Sequence, residues 1–210
     1  TQTWRNNKPH LIYRGVLVEE NCKLTIEPGC KIYSHGRSGI YVNGTIEAIV
    51  TPEEPIIFTD DRLDNFNTYD DVFGIWEGIL MAQGSFGHVF EWVQINNAVN
   101  GLLVNTGNLD GEIDVRIGHT FINTIGNNSS APSFVRDELQ FLSGYGLIAI
   151  NSEVLVYNSL ITNCTSGSVY TLLNGIYYFL NNTFANYPNA PATFNRSKDI
   201  RTFVSSTFDN

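Results

Sequence analysis

The sequence predicts an all-β fold, a single-stranded right-handed parallel β-helix with about three short strands per coil, spanning residues 1–210 as one domain. Three observations predict it: a turn-rich composition poor in helix formers, short β-branched runs bounded by turn residues, and a repeat that ends in Asn. The 210 residues hold 24 Asn and 18 Gly against 4 Lys and a single Met. Asn and Gly favour left-handed turn positions and are poor in helix interiors.

The strands follow in order. Leu24-Thr25-Ile26, Lys31-Ile32-Tyr33, Ile40-Tyr41-Val42, Thr45-Ile46-Glu47 and Ile56-Ile57-Phe58 are each too short for a helix, and alternation puts Leu24 with Ile26 and Ile40 with Val42 on one buried face. In the second half the units Val93-Gln94-Ile95-Asn96-Asn97, Thr120-Phe121-Ile122-Asn123, Leu160-Ile161-Thr162-Asn163, Thr183-Phe184-Ala185-Asn186 and Thr207-Phe208-Asp209-Asn210 repeat at intervals of 26, 40, 23 and 24 residues. One interval therefore carries an insertion, near 126–143, with a helical turn expected at 134–142.

A second strand follows each of the first three Asn residues, beginning at Gly101, Gly146 and Ser168. A third starts the next coil at Ile113, Val154, Ile176 and Ile200. Eight or nine such coils at the inter-strand spacing of ~4.8 Å would make a rod of about 40 Å. The recurring asparagines, Asn97, Asn123, Asn163, Asn186 and Asn210, are expected to stack at one corner as a ladder, since the short amide tolerates the left-handed conformation and bonds its neighbours above and below.

Charge excludes some functions. Lys and Arg number 12 against 21 Asp and Glu, a formal charge of −9, which disfavours sequence-independent nucleic-acid binding. Cys22, Cys30 and Cys164 show no metal-site spacing, and the extended strand between Cys22 and Cys30 argues against a bridge. No apolar run reaches the length of a membrane span.

The stretches Leu24-Thr25-Ile26-Glu27-Pro28-Gly29, Val42-Asn43-Gly44-Thr45-Ile46-Glu47-Ala48, Trp76-Glu77-Gly78-Ile79 and Ile161-Thr162-Asn163-Cys164 resemble the secreted right-handed parallel β-helix lipoproteins of the Bacteroidetes. Members usually carry Pro-Gly before the Trp, where this chain has Val72-Phe73-Gly74-Ile75. The resemblance implies a protein secreted or associated with the outer membrane, tethered through an N-terminal lipid that this chain does not carry, with other envelope proteins or a glycan as partners. It assigns no reaction, so no catalytic residue is carried over. It also implies a chain continuing past Asn210, because the final coil stops in mid-repeat.

Candidate chemistry is sparse. Asp60, Asp61, Asp64, Asp70 and Asp71 form the densest acidic stretch and are weak candidates for Ca²⁺, which takes several converging oxygens; the calcium-loop pattern is missing, and no cofactor is otherwise indicated. A polysaccharide hydrolase or lyase would need two placed carboxylates, or a base such as Arg62 beside a metal; Glu91, Asp110, Glu112, Asp114, Asp137 and Glu138 lie scattered along the chain. His10, His35, His88 and His119 are expected at turns or the surface. Tyr13, Tyr33, Tyr41, Tyr69, Trp76, Trp92, Tyr177 and Tyr178 could stack on sugars or on one another. The expected function is a non-catalytic binding or assembly module, with the glycan-cleaving enzyme as the alternative.

Overall fold

A computed structural model describes residues 1–62, 74–126, 142–172, 174–185, 200–204 and 207–209. It is a right-handed parallel β-helix of three sheets, and among the described residues it contains no helix. The first sheet stacks Gln2–Trp4, Lys23–Ile26, Thr45–Ile49, His88–Glu91, Val115–Gly118, Glu153–Tyr157, Ile176–Leu180 and Ile200–Val204. The second stacks His10–Ile12, Lys31–Ser34, Ile56–Asp60, Val93–Asn96, Phe121–Asn123, Leu160–Thr162, Thr183–Ala185 and Thr207–Asp209. The third stacks Gly15–Val18, Gly39–Val42, Gly78–Met81, Leu102–Val104, Tyr145–Ile150 and Gly167–Leu172. All described strand pairs are parallel, and from Gln2 to Leu172 the chain visits the sheets in that order. The helical turn expected at 134–142 lies largely outside the described residues.

Register is set by inward columns of like residues. On the first sheet Ala48, Phe90, Ile117, Val156 and Phe179 stack, on the second Ile32, Phe58, Ile95, Ile122, Ile161 and Phe184, and on the third Ile40, Ile79, Leu102, Leu147 and Val169. All of these are buried. A slip of one residue would turn each column to solvent, at roughly 1.5–3 kcal/mol per large side chain. Trp76 fills the corner before the third sheet, fully buried, its ring 6.5 Å from that of Phe58 and its Nε1 donating to the Asn96 carbonyl at 2.8 Å. The three cysteines are free thiols.

The corner between the second and third sheets absorbs extra chain. It emerges there between Asn123 and Tyr145, where the sequence places the insertion, and also between Asp60 and Gly78, where the sequence places the acidic loop. Both excursions return through glycine. Gly78, at φ 105°, and Gly101 sit in one column with Gly39 and Gly146, and a Cβ would lie 1.9 Å from the Asn100 carbonyl oxygen at Gly78 and 2.3 Å from the Gly146 carbonyl oxygen at Gly101.

Substituting Gly101→Ala should therefore cost about 2–3 kcal/mol of stability, as overpacking against backbone does. Urea unfolding followed by circular dichroism measures this, and an unchanged midpoint would show that the column tolerates a side chain.

Candidate functional site

At the corner joining the first sheet to the second, the backbone takes the left-handed conformation in four successive coils, at Trp92 (φ 58°), His119 (φ 47°), Asn158 (φ 49°) and Asn181 (φ 54°). These residues stack, since Trp92 N–H donates to the Gly118 carbonyl, His119 N–H to Tyr157 and Asn158 N–H to Leu180. The stack brings side chains far apart in sequence into one network. The Trp92 and His119 rings lie parallel, 4.4 Å apart at 10°. His119 Nδ1 bonds Glu91 Oε1, and the Tyr157 hydroxyl donates to Glu91 Oε2 at 2.5 Å. Asn158 Nδ2 donates to His119 Nε2 at 3.0 Å, which leaves the ring proton on Nδ1. Burial, the bond to Glu91 and the charge of Glu91 push the Tyr157 hydroxyl up to about 12, against an opposing pull from Arg116. Every polar atom of the Glu91 carboxylate and the His119 ring has a protein partner, so the network braces the corner.

Beside this corner a shallow groove of about 430 Å³ opens, lined by Pro52, Pro55, Trp92, Gln94, His119, Phe121 and Leu160. Its floor is the outer face of the second sheet. That face carries two columns of side chains, one with Ile57, Gln94, Phe121, Leu160 and Thr183, the other with Thr59, Asn96, Asn123, Thr162 and Ala185. Phe121, Gln94, Asn96 and Asn123 are half-buried, and Leu160 is exposed. Of the aromatic set read from the sequence, Trp92 reaches the groove; Trp76 and Tyr177 are core, and Tyr13 packs at a tilt of 43° against His35 with centroids 4.9 Å apart. Phe121 was missed as a groove residue, although its place one residue before the inward Ile122 marks it as outward-facing.

The asparagine corner differs from the sequence alignment at one position. Asn97 (φ 60°) and Asn163 (φ 52°) hold the left-handed conformation, but in the intervening coil it falls on Thr124 (φ 56°). Asn123 pairs with Asn96, one residue short of the corner. The inward isoleucines explain this: Asn97 and Asn163 each lie two residues after one, whereas Asn123 follows Ile122 directly. Asn163 Nδ2 still donates to Asn123 Oδ1 at 2.8 Å, and Asn97 Nδ2 donates to Asp60 Oδ2 at 2.6 Å. Asn186 and Asn210 lie outside the described residues.

Among the calcium candidates, Asp60 is buried and accepts hydrogen bonds from Asn97 and from the Arg62 backbone N–H at 2.9 Å. Asp61 bonds His35 Nδ1 at 2.7 Å. Asp64, Asp70 and Asp71 lie outside the described residues, and among the described residues no group of three potential metal ligands occurs.

Two sequence expectations need correction. Asp110, Glu112 and Asp114 are neighbours on the connection from the third sheet to the first, not scattered on separate coils, and coil stacking sets them beside Glu153 of the next coil. Asp114 is buried and accepts from Thr106 Oγ1 at 2.6 Å, Asn108 Nδ2 at 3.1 Å and the Glu153 backbone N–H at 3.2 Å. Glu153, also buried, accepts from the Gly111 N–H at 2.9 Å. Burial raises its pKa, with the charges of Asp114, Asp110 and Glu112 adding to the rise and the Gly111 N–H opposing it. The second correction is His88, which is neither a turn nor a surface residue. It points into the core 1% exposed, because it precedes the inward Phe90 by two. The Ile46 N–H donates to its Nδ1 at 3.3 Å and its Nε2 bonds Ser85 Oγ at 3.0 Å, while that hydroxyl donates to the Ala82 carbonyl at 2.6 Å. The ring is thus neutral, with its proton on Nε2.

Burial lowers the His88 pKa from 6.5 to about 4. The unfolded chain therefore binds the proton more readily between these values. The stabilising effect of a neutral His88 is fully present above pH 6.5 and is lost as pH falls toward 4, amounting to about 3 kcal/mol. Urea unfolding at pH 7.5 and pH 4.5 should show this loss in the native chain and a smaller one in His88→Gln.

A scan against protein-family models, a search of the curated proteins and a search of the solved structures each found no match to this chain.

Proposed function

We propose that the protein is a non-catalytic β-helical binding module of the bacterial cell envelope, secreted or attached to the outer membrane, that presents a surface to a glycan or to a partner in an envelope assembly. The observation that carries this reading is the division of labour among its polar groups. Neighbouring carboxylates that could perform acid-base chemistry are held by protein donors: Glu91 by His119 and Tyr157, Asp114 by Thr106, Asn108 and Glu153. The open groove is lined instead by rings, an amide and aliphatic carbons. Hydrolysis of a glycosidic bond needs two carboxyl groups facing the sugar, commonly about 5–10 Å apart, with one of them free to give up a proton. The envelope location rests on the resemblance of the coil motifs to the Bacteroidetes β-helix lipoproteins.

A second reading, a polysaccharide hydrolase, is favoured by one observation: the charge of Asp114, whose carboxylate accepts from the Glu153 backbone N–H, helps to raise the pKa of the Glu153 carboxyl group, after burial as the main cause. Glycosidases use two carboxyl groups whose environments set their pKa values apart. Both residues are at most 2% exposed, which speaks against access by a polymer.

Purified protein incubated with pectin, β-glucan and host glycans, with and without Ca²⁺, should release no reducing ends. Release that disappears in Asp114→Asn or Glu153→Gln would establish the hydrolase instead. Chemical crosslinking in native envelopes should capture the module on a surface glycan or with an envelope protein, and recovery from the cytosol alone would defeat the proposed location.

A further inference from the structure

We infer that the outer face of the second sheet is a binding site for an extended, neutral polysaccharide lying along the axis of the solenoid. The inference rests on the binding-module reading and names its ligand class. Between Ile57 and Ala185, over five coils, neither outward column of this sheet carries an ionisable side chain; the exposed Lys31 follows Ile57 in its column and bounds the stretch at that end. The first sheet is different: its outer face presents the Lys23–Glu47 ion pair at 2.5 Å and the exposed Arg116. The groove lining holds no carboxylate, Lys or Arg, and its one ionisable side chain, His119, has both ring nitrogens bonded to Glu91 and Asn158; on a chain of net charge −9 a polyanion is repelled at long range, and a cationic ligand would find no carboxylate in the lining.

An extended peptide fits poorly for a different reason. The backbone groups of an interior sheet face are used in the ladders between coils, so a peptide laid on it would find no partners for its own N–H and C=O groups. Sugars need none. Their hydroxyls are met by the side-chain amides of Gln94, Asn96 and Asn123 and the hydroxyl of Thr162, and their C–H faces by Phe121, Leu160 and the wall that Trp92 and His119 form at the corner.

Spacing adds a third argument. Equivalent side chains recur along the axis at ~4.8 Å, the separation of neighbouring strands. A pyranose in an extended 1,4-β-linked chain advances by a closely similar distance. Each sugar of such a chain therefore meets one coil, and affinity should grow with the number of coils covered. No step of bond making or breaking is involved.

Titration calorimetry with the full chain tests the inference, using cellohexaose and xylohexaose as neutral probes, cellobiose as a short one and hexagalacturonate as an anionic one. Both neutral hexasaccharides should bind, cellobiose at least tenfold more weakly, and hexagalacturonate not measurably. Phe121→Ala and Gln94→Ala should each weaken the hexasaccharide about tenfold or more, the loss of about 1.4 kcal/mol of contact. Tyr178→Ala on the first sheet should leave binding unchanged. Thermal unfolding of each variant confirms that the fold is kept, which is expected because these side chains point outward. The inference is overturned if no neutral hexasaccharide binds, if the anionic one binds better, or if affinity is indifferent to Phe121 and Gln94 together. A reducing-end assay on the same mixtures separates the two proposals. Cleavage of a bound hexasaccharide would defeat the non-catalytic reading and leave the site standing, whereas absent binding without cleavage would remove the site and leave that reading intact.

Discussion

No coil of this molecule can bury its own apolar face. A turn of three short strands encloses a space that its own side chains close only from the sides, and the coils above and below must close it along the axis. Packing of like on like in the inward columns is therefore the constraint on which everything else depends. It holds Phe90 over Ala48 and Ile161 over Ile122, fixes the register of every strand, and so determines which polar residues meet at the corners. The glycines at the entrance of the third sheet serve the same constraint, since they let one coil approach the next without a side chain between their backbones.

Corner chemistry follows from register rather than from local motif. Glu91, His119 and Tyr157 are separated by 28 and then 38 residues, yet they share one network because each sits at the same turn of its coil. Left-handed backbone at non-glycine residues is costly and persists where neighbouring structure enforces it. Here the enforcing structure is the backbone hydrogen bonding between coils and, at His119, the stacking of its ring on Trp92.

Much of the architecture was legible in the sequence because it is periodic. The inward Ile95, Ile122 and Ile161, the strand-initiating Gly101 and Gly146, and the interval lengths of the second half lead directly to coils of three strands. Less of the candidate site was legible, for physical reasons that differ from residue to residue. Asn123 looked equivalent to Asn97 because both close an apolar unit, and only its distance from the inward isoleucine betrays the shift. The contact of Asp114 with Glu153 spans an interval that contains the inserted chain, so no local spacing marks it. His88 escaped because an imidazole is not an obvious core residue, although strict alternation with Phe90 required it to face inward. The groove needed the register of three coils before Gln94, Phe121 and Leu160 could be seen as one column.

The two excursions at the corner between the second and third sheets leave the stacking undisturbed on either side: Ile40 still meets Ile79 across the first, and Leu102 meets Leu147 across the second. Length at that corner is thus decoupled from the helical repeat. Segments of differing size and charge can be spliced in there without altering any inward column, much as attachments are fitted along one rail. In a descendant or an engineered version of this rod, new specificity would be introduced at that rail at little cost to folding.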